Sequence, residues 1–225
     1  MDIGEFSPTG EDTAAATDAI GAVAVAPGLQ LSTEDADTRV TAYISADARD
    51  EVRLGQYLLV PYPDRDLLFT RVTALEYAAA FDLDDATEIQ TRRALSSDTF
   101  DERAYKLLVR MDPLGILSRD GDGYTRRASD RLPKPGAAVR VAADPAEIKS
   151  GLAIPTGGLF LGHVAVNGRV IETGAHPTPI DYRLRDGDTP GDPLIFRHLL
   201  IAGGTGAGKT HRAKNILRQL LAPVP

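Results

Sequence analysis

The sequence predicts a mainly β domain, a small barrel or sandwich, followed by the first strand-loop-helix unit of a P-loop α/β domain. Two observations predict this. The first is a series of short apolar, β-branched runs from Ile20 to Glu172, separated by Gly, Pro, Asn and Asp turn signals. The second is Gly203-Gly204-Thr205-Gly206-Ala207-Gly208-Lys209-Thr210, a complete G-x-x-x-x-G-K-T loop placed fifteen residues before the end of the 225.

Each element follows from local pattern. Residues 1–17, rich in Gly, Ser, Thr, Ala and acid, predict a flexible acidic tail. A β-barrel domain is expected over 18–184. Its strand candidates begin at 20–25 (IGAVAV), which Pro27-Gly28 ends, and continue at 39–45 (RVTAYIS), where apolar and polar residues alternate. The next are 56–60, after a Gly55 turn, and the longer run 67–77 (LLFTRVTALEY). An insertion at 82–103 breaks the pattern. Within it 84–95 predicts a short helix, acidic at its start and with Arg92-Arg93 near its end, as the helix dipole favours.

Strand signals resume at 104–110 and 115–117, and Asp120-Gly121-Asp122-Gly123 predicts a hairpin turn. That quartet resembles part of a calcium loop, but the other ligand positions and the closing Glu are missing. A strand at 139–142 precedes Asp144-Pro145-Ala146-Glu147, which supplies an N-cap, a first-turn proline and an acidic first turn for a helix ending at Gly151. Strand 159–166 turns through Asn167-Gly168 into 169–172. Residues 185–193, rich in Gly, Pro and Asp, read as a linker, and 194–225 as a truncated P-loop domain. There Leu199-Leu200-Ile201-Ala202 predicts a buried strand. Ala213, Ile216, Leu217, Leu220 and Leu221 mark the apolar face of a helix.

The loop between them has a definite chemistry. Gly203, Gly204, Gly206 and Gly208 let the backbone turn tightly and approach a ligand, with Thr205 and Ala207 between them. Successive N–H groups and a helix N-terminus then suit phosphate oxygens. Lys209 is expected to reach the β- and γ-phosphates of ATP and Thr210 to hold its Mg²⁺, while the backbone N–H of His211 adds to the cradle.

Composition bounds the rest. There is no cysteine, which excludes disulfides and cysteine-metal sites. The net charge of −7 argues against a surface that binds nucleic acid throughout, though not against a local basic lining. Only five of the twenty-five basic residues are Lys, a bias that concerns habitat rather than activity. No leader pattern opens the chain and no apolar run is long enough to cross a bilayer, so a cytoplasmic protein is expected. His163, His176, His198 and His211 lack metal-ligand spacing. Arg92-Arg93 and Arg126-Arg127 are candidates for phosphate contact, but nearby acids favour a solvated, locally paired face. The acids Asp82, Asp84 and Asp85 read as surface rather than as a catalytic pair.

The stretch from Phe196-Arg197-His198 through Leu199-Leu200-Ile201-Ala202 to Lys209-Thr210 resembles the P-loop approach of HerA-type ATPases, hexameric DNA translocases related to FtsK. Leu132-Pro133-Lys134-Pro135-Gly136, the helix at 144–151 and Gly158-Leu159-Phe160-Leu161-Gly162-His163 are similar to the later part of that family's N-terminal barrel. Pro179-Ile180-Asp181 is similar to the segment leading out of it. The insertion near Asp82 has no counterpart in this resemblance.

The resemblance implies a barrel joined to a RecA-like core, and a ring through which DNA passes while ATP is hydrolysed. A nuclease partner is a further implication. This chain departs from the family in one respect: no Asp or Glu follows Lys209, so neither a Walker B carboxylate nor an arginine finger can be placed. The chain alone is therefore expected to be an inactive ATPase. Two other readings stand beside this one. One is a non-catalytic barrel for oligomerisation or partner docking. The other is a fragment of a rotary ATP synthase-like subunit, whose loop is similar.

Overall fold

The computed structural model describes residues 18–25, 28–34, 38–79, 105–173, 178–185 and 199–222. The helix expected at 84–95, Arg92-Arg93, the acids at 82–85, His176 and Arg197-His198 lie outside them, as do the 1–17 tail and residues 186–193 of the linker. The chain divides into two compact units, 1–142 and 143–225.

In the first unit the alternating runs become seven strands: β1 (Ala19–Ala24), β2 (Val40–Ile44), β3 (Tyr57–Pro61), β4 (Leu67–Ala79), β5 (Tyr105–Asp120), β6 (Gly123–Arg127) and β7 (Ala138–Val141). Six of them close into an antiparallel barrel in the order β2-β1-β7-β3-β4-β5 and back to β2. Strand β6 extends the sheet beyond β5, through the Asp-Gly turn at Gly121. Of the two architectures open to the sequence, the pairing of β2 with β5 selects the barrel, because it removes the edges a sandwich would keep.

Alternation decides the core. Val40, Ala42 and Ile44 of β2, Leu58 and Val60 of β3, and Leu107, Val109 and Met111 of β5 all join one buried cluster with Ile20, Val23 and Val139. Burying such side chains contributes about 1.5–3 kcal/mol each. A 3-10 helix, Ala46–Glu51, adds Ala48 to the cluster and buries Arg49, whose guanidinium donates to the Tyr105 carbonyl at 2.7 Å. Nothing in the sequence pattern announced that helix.

Strand β5 runs unbroken where the sequence suggested two segments, 104–110 and 115–117. Between them lies Pro113, which has no N–H to give a ladder. Its position explains why it is tolerated. Thr70 of β4 faces Pro113 while the adjacent Phe69 faces Gly115, so Leu114 is the extra residue of a bulge. The N-terminal part of β5, Leu107–Met111, pairs with β2, and its C-terminal part, Ile116–Asp120, pairs with β6. The proline sits where the strand changes partners.

A polar cluster ties the loop after β6 to the β3–β4 turn. The Tyr62 hydroxyl donates to the Arg131 carbonyl at 2.7 Å, and the Arg131 guanidinium lies 4.3 Å from the Tyr62 ring centroid. Arg131 also pairs with Asp64 and Asp66, and Arg127 with Asp66 and Asp130. Burial pushes the Tyr62 phenol up to about 12, against the opposing charge of Arg131, while the Arg131 hydrogen bond holds the Asp64 carboxyl below its ordinary value.

The second unit begins with α1 (Pro145–Gly151), where the sequence placed it. The Asp144 carboxylate accepts from the Ala146 N–H at 2.8 Å, and Pro145 opens the first turn. Replacing Asp144 by alanine should cost about 1 kcal/mol, a drop of roughly 2–4 °C in the thermal melt. An unchanged melt would show that packing of the buried Ile148 holds this helix without its cap.

Strand β8 (Leu159–His163) pairs with β13 (Asp181–Leu184). Between them lie the short pairs β9 (Ala165–Val166) with β10 (Arg169–Val170) and β11 (Glu172–Thr173) with β12 (Thr178–Pro179). Asn167 and Gly168, at φ 51° and 75°, form the left-handed hairpin turn that the Asn-Gly signal predicts. The last element is α2 (Lys209–Leu220).

Candidate nucleotide-binding loop

The helix of the expected strand-loop-helix unit is present and its strand is not. Residues 199–202 have no strand conformation, and Leu200 is 88% exposed. The expectation of a buried strand at 199–202 is corrected accordingly. An apolar run becomes a central strand only when neighbouring strands take its N–H and C=O groups and helices cover its faces. No described strand pairs with this segment.

The loop itself, 203–208, leads directly into α2. Gly206 and Gly208 take the left-handed conformation at φ 82° and 76°, which explains glycine at those two positions. Ala207 N–H donates to the Gly204 carbonyl at 3.3 Å, closing a turn inside the loop. Gly208 is the N-cap, and having no side chain it leaves the first N–H groups of α2 without a side-chain cap. No acid lies in the first turn. Lys209, Thr210 and His211 are the first three helical residues, so the Lys209 cation sits at the positive end of the helix dipole. A fold optimised for helix stability alone would place Asp or Glu there. The arrangement suits an external anion instead.

Lys209 folds back over the loop. Its Nζ donates to the carbonyls of Gly203 and Gly204, both at 2.7 Å. The ammonium thus lies on the loop that precedes it, satisfied by backbone oxygens. Thr210 and His211 are exposed. The structure therefore gathers Gly203, Gly204, Thr205, Gly206, Ala207, Gly208, Lys209, Thr210 and His211 into one solvent-facing turn.

A residue that the sequence pattern did not single out fixes the helix. The Gln219 side-chain amide pairs with the backbone of Phe160 in β8, its Oε1 accepting from the Phe160 N–H at 2.8 Å and its Nε2 donating to the carbonyl at 2.9 Å. It stands in for a neighbouring strand. Ile216, one turn earlier, is buried at 4% exposure. The rest of the apolar stripe is largely uncovered, with Leu217 55% and Leu221 79% exposed.

The other candidates resolve as local structure. His163 Nδ1 lies 3.3 Å from the Asp181 carboxylate across the β8–β13 pair, and Asp181 also binds Arg183 at 2.7 Å. The Arg183 hydrogen bond holds the Asp181 carboxyl below its ordinary value. Among the described residues no three His, Asp or Glu gather as a metal site, and no helix is long and apolar enough to cross a membrane. Arg127 is paired with acids, while Arg126 donates to the Leu114 carbonyl. No protein-family model matches this chain, and no curated protein matches it.

Proposed function

We propose that this chain is the N-terminal, ATP-binding portion of a HerA-like DNA translocase: a β-barrel joined to the start of a P-loop ATPase domain. The observation that carries this reading is the uncapped, basic N-terminus of α2, reached through a glycine loop with two left-handed residues. The residues present fit a Mg²⁺-nucleotide. The loop and the free N–H groups of the first turn would hold phosphate oxygens, Lys209 would supply the cation and the Thr210 hydroxyl would face the metal. Bound ATP would supply the phosphoryl group whose transfer drives work in a ring, with DNA and a nuclease as partners of that ring.

The exposed Leu199, Leu200, Leu217 and Leu221 favour an α/β layer completed by further strands and helices of the same domain. They equally suit the second reading, a non-catalytic barrel for oligomerisation or docking, in which this exposed apolar surface would be the contact.

Steady-state phosphate release from purified chain, with and without DNA, tests the division of labour. The expected result is no turnover above background. Turnover that Lys209→Ala abolishes would mean that the 225 residues complete a catalytic site, alone or by self-association. Absence of any ATP binding would remove the nucleotide reading and leave the docking module.

A further inference from the structure

On the outside of the first unit, where β4, β5 and β6 meet the loop that follows β6, lies a groove of about 770 Å³. That lies within the roughly 300–1,000 Å³ of small-molecule sites. Its lining includes Arg71, Asp112, Leu114, Arg126, Arg127 and Ser129. Three guanidinium groups thus face one carboxylate, in a chain whose net charge is −7.

The three arginines are not equivalent. Arg127 is occupied by Asp66 and Asp130. Among the described residues Arg71 makes only a long contact with Asp112, 3.5 Å, with both side chains about half exposed. Arg126 has no carboxylate partner among the described residues, and spends one Nη2 donor on the Leu114 carbonyl. A guanidinium carries five donors, so most of those on Arg71 and Arg126 remain available.

The site is also built into the strand. A Cβ at Gly115 would come within 2.8 Å of Arg126 Nε and 2.9 Å of the Arg127 carbonyl, so glycine is what lets Arg126 lie flat across β5. The bulge at Leu114 presents the carbonyl that fixes it. Beside it, the Ser129 Oγ is buried without a hydrogen-bond partner among the described residues, a costly state that a bound polar group would relieve.

We propose that this groove binds a phosphate-bearing small molecule, gripped by the guanidinium forks of Arg71 and Arg126 with Ser129 as a further partner. Two guanidinium groups lining one groove favour a multiply charged oxyanion over a single carboxylate, because each fork takes two oxygens. The site lies on the barrel and does not depend on the glycine loop.

Calorimetric titration of inorganic triphosphate into the Lys209→Ala chain tests it, since the loop is then silenced. Saturable binding that weakens with salt is expected, falling at least about tenfold in the Arg71→Ala/Arg126→Ala variant. Asp112→Asn, which frees Arg71, should tighten binding about threefold, an effect that misfolding cannot imitate. Unchanged affinity in the double arginine variant, no saturable binding, or no gain in Asp112→Asn would overturn the proposal. Equal or stronger competition by single-stranded DNA of the same charge would also overturn it, by assigning the groove to a polymer backbone.

Discussion

Replacing Gly21 by alanine is expected to lower the melting temperature by on the order of 10 °C, the equivalent of roughly 3 kcal/mol. Gly21 sits in β1 opposite Ile44 of β2 and Val139 of β7, where the β1–β7 register shifts. A Cβ there would lie 2.0 Å from the Tyr43 carbonyl oxygen and 2.9 Å from its carbon. These are backbone atoms of the neighbouring strand, so no rotamer change relieves the clash. Relaxation would have to part β1 from β2, and in a closed barrel that displacement propagates through β5 and β7. Circular dichroism melts of the two proteins measure the effect. A melt that does not move would mean that the β1–β2 pair is looser than the register implies.

Lys209→Ala is expected to reduce Mg²⁺-ATP affinity by roughly 100-fold, or below detection if the starting affinity is weak, while leaving the fold intact. The ammonium is the one side-chain cation that the loop motif brings to the β- and γ-phosphates. Its two bonds to the Gly203 and Gly204 carbonyls lie at an exposed turn, and both carbonyls can be rehydrated when it is gone. Alanine is the better helix former, and removing a cation from the helix N-terminus relieves an unfavourable dipole contact. Loss of binding with an unchanged melt therefore isolates the ligand effect from any folding effect. Equal affinity in the variant would remove the nucleotide assignment from this loop.

Much of the fold was legible because its determinants are local. Alternation placed β1 to β4, and Asp120-Gly121 placed the turn before β6. Asp144-Pro145 placed α1, Asn167-Gly168 a left-handed hairpin turn, and the apolar stripe with Lys209 the start of α2. Each signal acts within a few residues of itself. The strand expected at 199–202 failed for the opposite reason. Apolarity there states a demand for burial, and nothing among the described residues meets that demand.

The candidate site divides in the same way. The glycine spacing marked the turn before α2, and the helix does start at Lys209, after Gly206 and Gly208 in the left-handed conformation. Gln219 was invisible, because its role exists only when the Phe160 backbone lies beside it, 59 residues away in sequence. Arg126 stood out in the sequence as a candidate for phosphate contact, but the groove it shares with Arg71 was invisible. It requires β4 and β5 in register, a bulge at Leu114 and the absence of a side chain at Gly115.

By itself, then, the sequence determined the places of β1 to β4, α1 and α2, the turns at Asp120-Gly121 and Asn167-Gly168, and which eight residues carry the G-x-x-x-x-G-K-T pattern. Those are consequences of backbone preference and side-chain period, which short segments carry with them. Tertiary structure alone decided that the β runs close into a barrel through β2 and β5, that β5 passes through Pro113, and that 199–202 is not a strand. Each of these depends on which distant backbone supplies or withholds a hydrogen-bonding partner, and no local pattern encodes the identity of that partner.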